Sequence, residues 1–216
     1  MPGQIADFLE RYKNWLLKID QKFDAVRAVY PAAVPCHGGC SQCCYSLFAI
    51  PAIDGFLLWQ GIRSSRSHDE LTELLNSCKR LFSEFKADVF PEAAIPFRVE
   101  PIGWREFDEL VERFQRPCPF LTEKGWCGVY EWRPRICRLA GTVFADPVTG
   151  VVINDFCPLA IDARGKEGFK SAPFDVSGMD GQMQAFREEF KYLLKSEYRH
   201  ELRDGHTFPL AGVIEA

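Results

Sequence analysis

Four of the chain's nine cysteines fall within the segment CHGGCSQCC, which runs from Cys36 to Cys44. Cys36, Cys40 and Cys43 have the spacing C-x3-C-x2-C. Such short gaps let one turn of backbone direct two sulfurs at a single ion about 2.3 Å away. The two glycines between the first pair supply the backbone freedom that this turn needs. The pattern indicates a metal site or a redox group.

Cys43 and Cys44 are neighbours, and in extended backbone neighbouring side chains point to opposite faces. Both sulfurs can serve one tetrahedral ion only if the backbone bends sharply at this point. Two sulfurs that serve different centres would be the simpler arrangement. Eight clustered cysteines would suit two sites of four, so the sequence leaves the number of centres open.

Further cysteines follow a long insert. Cys118 and Cys127 bracket PFLTEKGW, a length that suits a tight hairpin with both ends facing one point. Cys137 follows in RPRIC, and Cys157 is followed by a proline. We expect a metal to unite these residues with the first cysteine loop.

Three arginines surround Cys137 in the sequence. A divalent ion with four thiolates carries a net charge of about -2, and burying that charge is costly unless something offsets it. Arg133, Arg135 and Arg138 are near enough in sequence to donate to the sulfurs. We therefore expect them around the metal site, with solvated surface positions as the alternative.

Composition narrows the function classes. The 216 residues are 47% hydrophobic and 26% charged, with a net charge of -4. The absence of a basic excess argues against a nucleic-acid partner, and no apolar run approaches the roughly 18 residues of a membrane span. With no visible signal peptide, we predict a reducing cytoplasm, in which clustered cysteines bind metal rather than form disulfides.

Hydrophobic periodicity predicts a mainly α fold with a small β-hairpin and loop region. Helices are predicted over residues 4–29, in IPAIDGFLLWQGI, in SHDELTELLNSCKRLFSEFKADVF, in WREFDELVERFQ and from about Asp180 to His200. Ser67 and Glu70 form a predicted capping box. The segment TVFADPVTGVVIND predicts a β-hairpin, and the tail is expected to be irregular.

We predict a single domain over residues 1–216, organised around a cysteine-ligated metal site. It would comprise an N-terminal helix (1–33), a cysteine core (34–160) with a helical insert (51–116), and a C-terminal helix with its tail (161–216).

Two other residues have structural interpretations. Cys78 lies on the apolar stripe of its helix and is expected to pack in the core. His37 lies inside the first cysteine loop but is expected to face solvent, because the cysteines already suffice as ligands.

Together, the run at 36–44, the stretch CPFLTEKGWCGVYEWRPRICR at 118–138 and the late CP at 157 resemble the YkgJ-like cysteine-cluster family, a zinc- or iron-chelating domain. The resemblance covers roughly residues 34–160. It implies that the family's cysteines are Cys36, Cys40, Cys43, Cys44, Cys118, Cys127, Cys137 and Cys157. One departure is the three-residue gap between Cys36 and Cys40, where the family's name has two.

The residues leave the metal open between a [4Fe-4S] cluster and Zn²⁺, since both accept all-cysteine ligation. The prolines after Cys118 and Cys157 echo the Cys-Pro of bacterial cluster motifs and favour iron-sulfur. The role would be structural or redox. Zinc storage or delivery is one alternative. Another is an enzyme related to protein-lysine methylases, because a flagellin lysine methylase is similar to the same family in its cysteine region. No substrate, reaction or protein partner follows from the sequence.

Overall fold

A computed structural model of the chain describes residues 3–29, 31, 34, 36–45, 49–89, 109, 115–142, 144–145, 152–153, 157, 159, 174–175, 177–198 and 207–209. The helices are α1 (Gly3–Val29), α2 (Ala52–Ser65), α3 (His68–Val89), α4 (Arg135–Leu139) and α5 (Ser177–Tyr198). The strands are β1 (Ala49–Pro51), β2 (Phe144–Ala145), β3 (Val152–Ile153), β4 (Phe174–Asp175) and β5 (Thr207–Pro209). The predicted mainly α fold with a small β region is confirmed.

The chain forms two compact units. One contains Met1–Gly38 and Arg135–Glu201, and the other contains Gly39–Pro134 and Leu202–Ala216. We call them unit 1 and unit 2. The single domain over residues 1–216 stays a prediction. The helix predicted in WREFDELVERFQ lies outside the described residues, except for Glu109 and Gln115.

Unit 1 is built on the packing of α1 against α5. The apolar positions of α1 recur at helical spacing and are buried: Ile5, Phe8, Leu9, Tyr12, Trp15, Leu16, Ile19, Phe23 and Val26. The ring of Phe8 stacks on that of Phe190 with centroids 5.5 Å apart, and the Tyr12 hydroxyl donates to Met183 Sδ at 3.5 Å. Pro31 follows the helix, as expected of a residue that cannot continue it.

The small sheet of unit 1 contains the predicted hairpin. β2 pairs antiparallel with β3, with Phe144 opposite Ile153, which confirms that prediction. β4 joins β2 in parallel and was not predicted, because its two residues are too short to show an alternating pattern. The short helix α4 packs on α1, where Arg138 forms an ion pair with Asp20.

Unit 2 contains α2 and α3, which are separated only by Arg66 and Ser67. The predicted capping box is confirmed. The backbone N–H and the hydroxyl of Ser67 both donate to Glu70 Oε2, at 2.8 and 2.7 Å, and the Glu70 N–H faces Ser67 Oγ at 3.4 Å. These contacts fix the start of α3 relative to the end of α2.

A second small sheet in unit 2 corrects the expectation of an irregular tail. β5 pairs antiparallel with β1, with Ile50 opposite Phe208. Neither strand was predicted, because a three-residue strand leaves too short an alternation to read.

Among the helices in the described part of the chain, none combines the length and the apolar composition that crossing a bilayer requires.

Candidate metal centre

The first cysteine loop contributes residues to both units. Cys36 belongs to unit 1, whereas Cys40, Cys43 and Cys44 belong to unit 2. Gly39 has a positive φ of 83°, which a glycine adopts without strain.

The backbone is sharply bent at the adjacent cysteines. Gln42–Tyr45 form a 3-10 helix, and the Cys44 N–H donates to the Ser41 carbonyl at 2.9 Å. With three residues per turn, neighbouring side chains no longer point to opposite faces. The Cys43 and Cys44 side chains interact, and this interaction lowers the pKa of Cys43 and raises that of Cys44. The expectation that Cys43 and Cys44 point to opposite faces, which holds for extended backbone, therefore does not apply to this turn.

The predicted hairpin between Cys118 and Cys127 is confirmed. Leu121 and Cys127 form an antiparallel bridge, and the Gly128 N–H donates to the Phe120 carbonyl at 2.8 Å. At the tip, Gly125 has a φ of 76° and lets the chain turn back.

The two cysteines of the hairpin have the same local hydrogen bond. The N–H of Phe120 donates to the Cys118 sulfur, and the N–H of Val129 donates to the Cys127 sulfur. In each case the donor is two residues after the cysteine. Such bonds stabilise negative charge on sulfur and so lower both pKa values, although burial raises them by more.

A backbone hydrogen bond joins this hairpin to the 3-10 helix, since the Cys118 N–H donates to the Cys44 carbonyl at 2.6 Å. The charges of Cys43, Cys118 and Cys127 all act on Cys44. Four thiols from two distant parts of the sequence, Cys43, Cys44, Cys118 and Cys127, are thus gathered in unit 2. We call them the thiol cluster.

The thiol cluster contains one acidic sulfur and three weakly acidic ones. The interaction with Cys44, then a backbone hydrogen bond and the charge of Arg133, lowers the pKa of Cys43 to about 7. That same interaction, with burial, raises the pKa of Cys44. Burial raises the pKa of Cys118 to about 12, and burial also raises the pKa of Cys127. Without a metal, the last three are neutral thiols at pH 7.

A buried cation stands beside the thiol cluster. Arg133 is 8% exposed, and its Cζ lies 3.7 Å from the centroid of the Tyr130 ring. Its charge lowers the pKa of both Cys43 and Cys127. Arg133 therefore offsets thiolate charge in unit 2.

The other two arginines have carboxylate partners in unit 1. Arg135 Nη1 lies 3.1 Å from Asp180 Oδ1, and the fully buried Arg138 forms an ion pair with Asp20. The expectation that all three arginines surround the metal site stays a prediction. Their carboxylate partners are remote in sequence and could not be identified from it.

The remaining predicted ligands are Cys40 in unit 2 and Cys36, Cys137 and Cys157 in unit 1. Cys40 and Cys137 are half-buried, and Cys157 is 3% exposed. The Cys36 sulfur lies so close to Gly141 that a Cβ at that glycine would be 1.8 Å from it.

Among the described residues, no three cysteine, histidine or acidic side chains have the arrangement of a closed metal-binding site. The ligand set stays a prediction. All nine cysteines are free thiols.

Two other expectations concern single residues. Cys78 is fully buried on α3, as expected, although its charge also acts on Cys118. His37 is exposed and its Nδ1 contacts the Gly38 carbonyl at 2.8 Å, in agreement with the expectation that it faces solvent.

Sequence reasoning missed that α2 contacts the segment that follows Cys127. A Cβ at Gly61 would lie 2.1 Å from the Trp132 ring, so this ring rests directly on the helix backbone. Arg66 Nη2 donates to the Gly128 carbonyl at 3.1 Å. A glycine in the middle of a helix was the available signal, because it costs stability unless another group needs the space.

The family model CxxCxxCC, described as "Putative zinc- or iron-chelating domain", matches residues 35–158. No curated protein and no solved structure gives a significant match to the chain.

Proposed function

Since the chain belongs to the CxxCxxCC family of chelating domains, we propose that the thiol cluster binds one metal ion and that this ion is zinc. The ion would link the 3-10 helix at Gln42–Tyr45 to the hairpin between Cys118 and Cys127. The observation that carries this proposal is the hydrogen bond of 2.6 Å from the Cys118 N–H to the Cys44 carbonyl, which joins the two cysteine-bearing segments of unit 2.

The chemistry of the donors fits such an ion. Four thiolates around a divalent cation carry a net charge of -2, and a buried guanidinium next to them offsets part of it. Arg133 is placed for this role. The N–H donors of Phe120 and Val129 supply further stabilisation on two of the sulfurs.

The spacing of Cys43 and Cys44 favours a single ion. Thiolates bound at about 2.3 Å to one tetrahedral zinc lie about 4 Å from each other, so adjacent cysteines can share an ion only where the backbone bends sharply, as it does at Gln42–Tyr45. In a cubane cluster each cysteine binds a different iron, so its ligand sulfurs lie farther apart. The bend of the backbone at these neighbours, where Gln42–Tyr45 form a 3-10 helix, is the reason we favour zinc over iron-sulfur.

A [4Fe-4S] cluster of structural or redox function is the second candidate. Cys118-Pro119 and Cys157-Pro158 favour it, because Cys-Pro is part of bacterial cluster motifs. We retain Cys36, Cys40, Cys137 and Cys157 as predicted ligands. The nine free thiols support the predicted reducing compartment, the cytoplasm.

The experiment is metal analysis of protein purified without oxygen, combined with X-ray absorption at the zinc and iron edges. We expect zinc with sulfur ligands at about 2.3 Å. Iron found with an equal amount of sulfide would instead support the second candidate, the [4Fe-4S] cluster. Protein that holds neither metal after reconstitution in reductant would refute the proposal.

The exchange rate of the bound ion separates a structural site from storage or delivery. A structural ion should exchange slowly, because its release would disconnect the hairpin from the 3-10 helix. Rapid exchange with a chromogenic chelator would instead favour storage or delivery. The alternative of an enzyme related to protein-lysine methylases predicts a different result, which is that the protein consumes a methyl donor.

A further inference from the structure

Arg66 lies outside every cysteine motif, yet it contacts the residue that follows Cys127. It ends α2 in an extended conformation, with φ -123° and ψ 147°. Its Nη2 donates to the carbonyl oxygen of Gly128 at 3.1 Å. The capping box of Ser67 and Glu70 fixes the backbone immediately after it, so the arginine projects from a well-defined point.

Arg66 binds the carbonyl of a peptide unit in the hairpin region. The N–H of the same peptide unit donates to a sulfur of the thiol cluster. That unit joins Gly128 to Val129, and the Val129 N–H donates to the Cys127 sulfur. The two polar groups of a planar trans peptide point in opposite directions. A cation on the carbonyl therefore polarises the amide and strengthens its N–H as a donor.

Gly128 is held closely from several sides. Its own N–H donates to the Phe120 carbonyl at 2.8 Å. A Cβ at this position would lie 3.0 Å from Arg66 Nη2 and 3.1 Å from the Phe120 oxygen. The absence of a side chain lets the guanidinium approach the peptide, and the peptide has little freedom to turn away from Cys127.

We infer that Arg66 is a positioning residue of the thiol cluster, which acts through the Gly128–Val129 peptide to orient and strengthen the N–H donor to Cys127 and so raises the affinity for metal. The inference rests on the proposed function, because it names a further determinant of the same site. Losing a group that orients a ligand in this way typically lowers metal affinity about 10- to 100-fold.

The test compares Arg66→Met with Arg63→Met in the full chain. Both variants remove one positive charge from the end of α2, but Arg63 lies over the Trp59 ring, with its Cζ 5.8 Å from the ring centroid. The probe is cobalt(II), titrated against a competing chelator. Its sulfur-to-metal charge-transfer band reports the electron richness of the thiolates. Thermal unfolding of each metal-free variant measures any general loss of stability.

We expect Arg66→Met to weaken cobalt binding about tenfold and to shift the charge-transfer band to lower energy, because Cys127 loses part of its hydrogen bond. Arg63→Met should match the wild type, and Arg66→Lys should recover part of the affinity. Unchanged affinity and band position in Arg66→Met would overturn the inference. So would a loss of affinity no larger than the loss of stability of the metal-free protein. If the wild type bound no metal at all, the proposed function itself would fail.

Discussion

The backbone N–H of Cys118 and the carbonyl oxygen of Cys44 form a hydrogen bond of 2.6 Å. This bond joins the two cysteine-bearing segments of unit 2 through the main chain, independently of their side chains. A serine at either position would keep the bond and lose only the sulfur. Serine substitutions here therefore test ligation separately from the backbone arrangement.

We predict that Cys118→Ser and Cys127→Ser each reduce bound metal to well below one ion per chain and lower the melting temperature. The energy of ligation contributes to folding, so metal content and stability should fall together. Metal analysis and differential scanning calorimetry measure the two quantities.

Cys78→Ala is the control for these variants. The residue is fully buried on α3, and its truncation should cost about 1 kcal/mol of packing energy while leaving the metal in place. Metal loss equal to that of Cys118→Ser would show that the ninth cysteine is also a ligand.

Zinc binding should release protons in a pH-dependent way. The raised pKa values of Cys44, Cys118 and Cys127 keep these thiols protonated at pH 7, whereas Cys43, with a pKa of about 7, is half ionised. Binding as thiolates should therefore release about three to four protons at pH 7, and affinity should fall steeply as the pH falls.

Calorimetric titration in two buffers of different ionisation enthalpy counts these protons. A release of one proton or fewer would mean that the four thiols do not ligate the ion together. The same titration on Cys118→Ser, whose thiol is neutral before binding, should show weaker binding and about one proton fewer.

Gly61→Ala should destabilise the protein, although alanine is the better helix former by about 1 kcal/mol. The new methyl group would lie 2.1 Å from the Trp132 ring, so the ring must move. We expect a net loss of about 1–3 kcal/mol, measured by urea unfolding.

Gly181→Ala is the matched control, because this glycine lies inside α5 and, beyond the backbone of its own helix, no described residue comes within 4 Å of the position that a Cβ would take. It should stabilise the protein by about 0.5–1 kcal/mol. An equal gain in stability in Gly61→Ala and Gly181→Ala would show that the Trp132 ring does not pack tightly against Gly61.

The ion pair of Arg138 with Asp20 should contribute substantially to the stability of unit 1. The Arg138 side chain is 1% exposed, so Asp20→Asn would leave a buried guanidinium with less compensation. We expect a loss of about 3 kcal/mol. Asp24→Asn breaks the exposed pair with Arg27 and should cost less than about 1 kcal/mol. Similar losses in the two variants, by chemical denaturation, would contradict this prediction.

Local signals in the sequence predicted the long helices and the capping box well. The apolar repeat of α1 and the Ser67–Glu70 pair depend on residues within a few positions of each other, so spacing alone defines them. The hairpin between Cys118 and Cys127 was predictable for the same reason.

Partners that are remote in sequence were not predictable. Arg133, Arg135 and Arg138 are near neighbours in the chain, yet one acts on the thiol cluster and two pair with aspartates of α5 and α1. Arg66 carried no signal of its contact with Gly128, which depends on how α2 packs. The strand β5 was missed because it pairs with β1, which is far away along the chain.

The half-exposed indole of Trp126, which is 55% exposed and adjoins Cys127, provides the protein with an optical reporter of its own. Light emitted by this ring would be quenched by a nearby coloured ion such as cobalt or iron but not by colourless zinc. Fluorescence could therefore follow the replacement of one ion by another in real time, with no added dye.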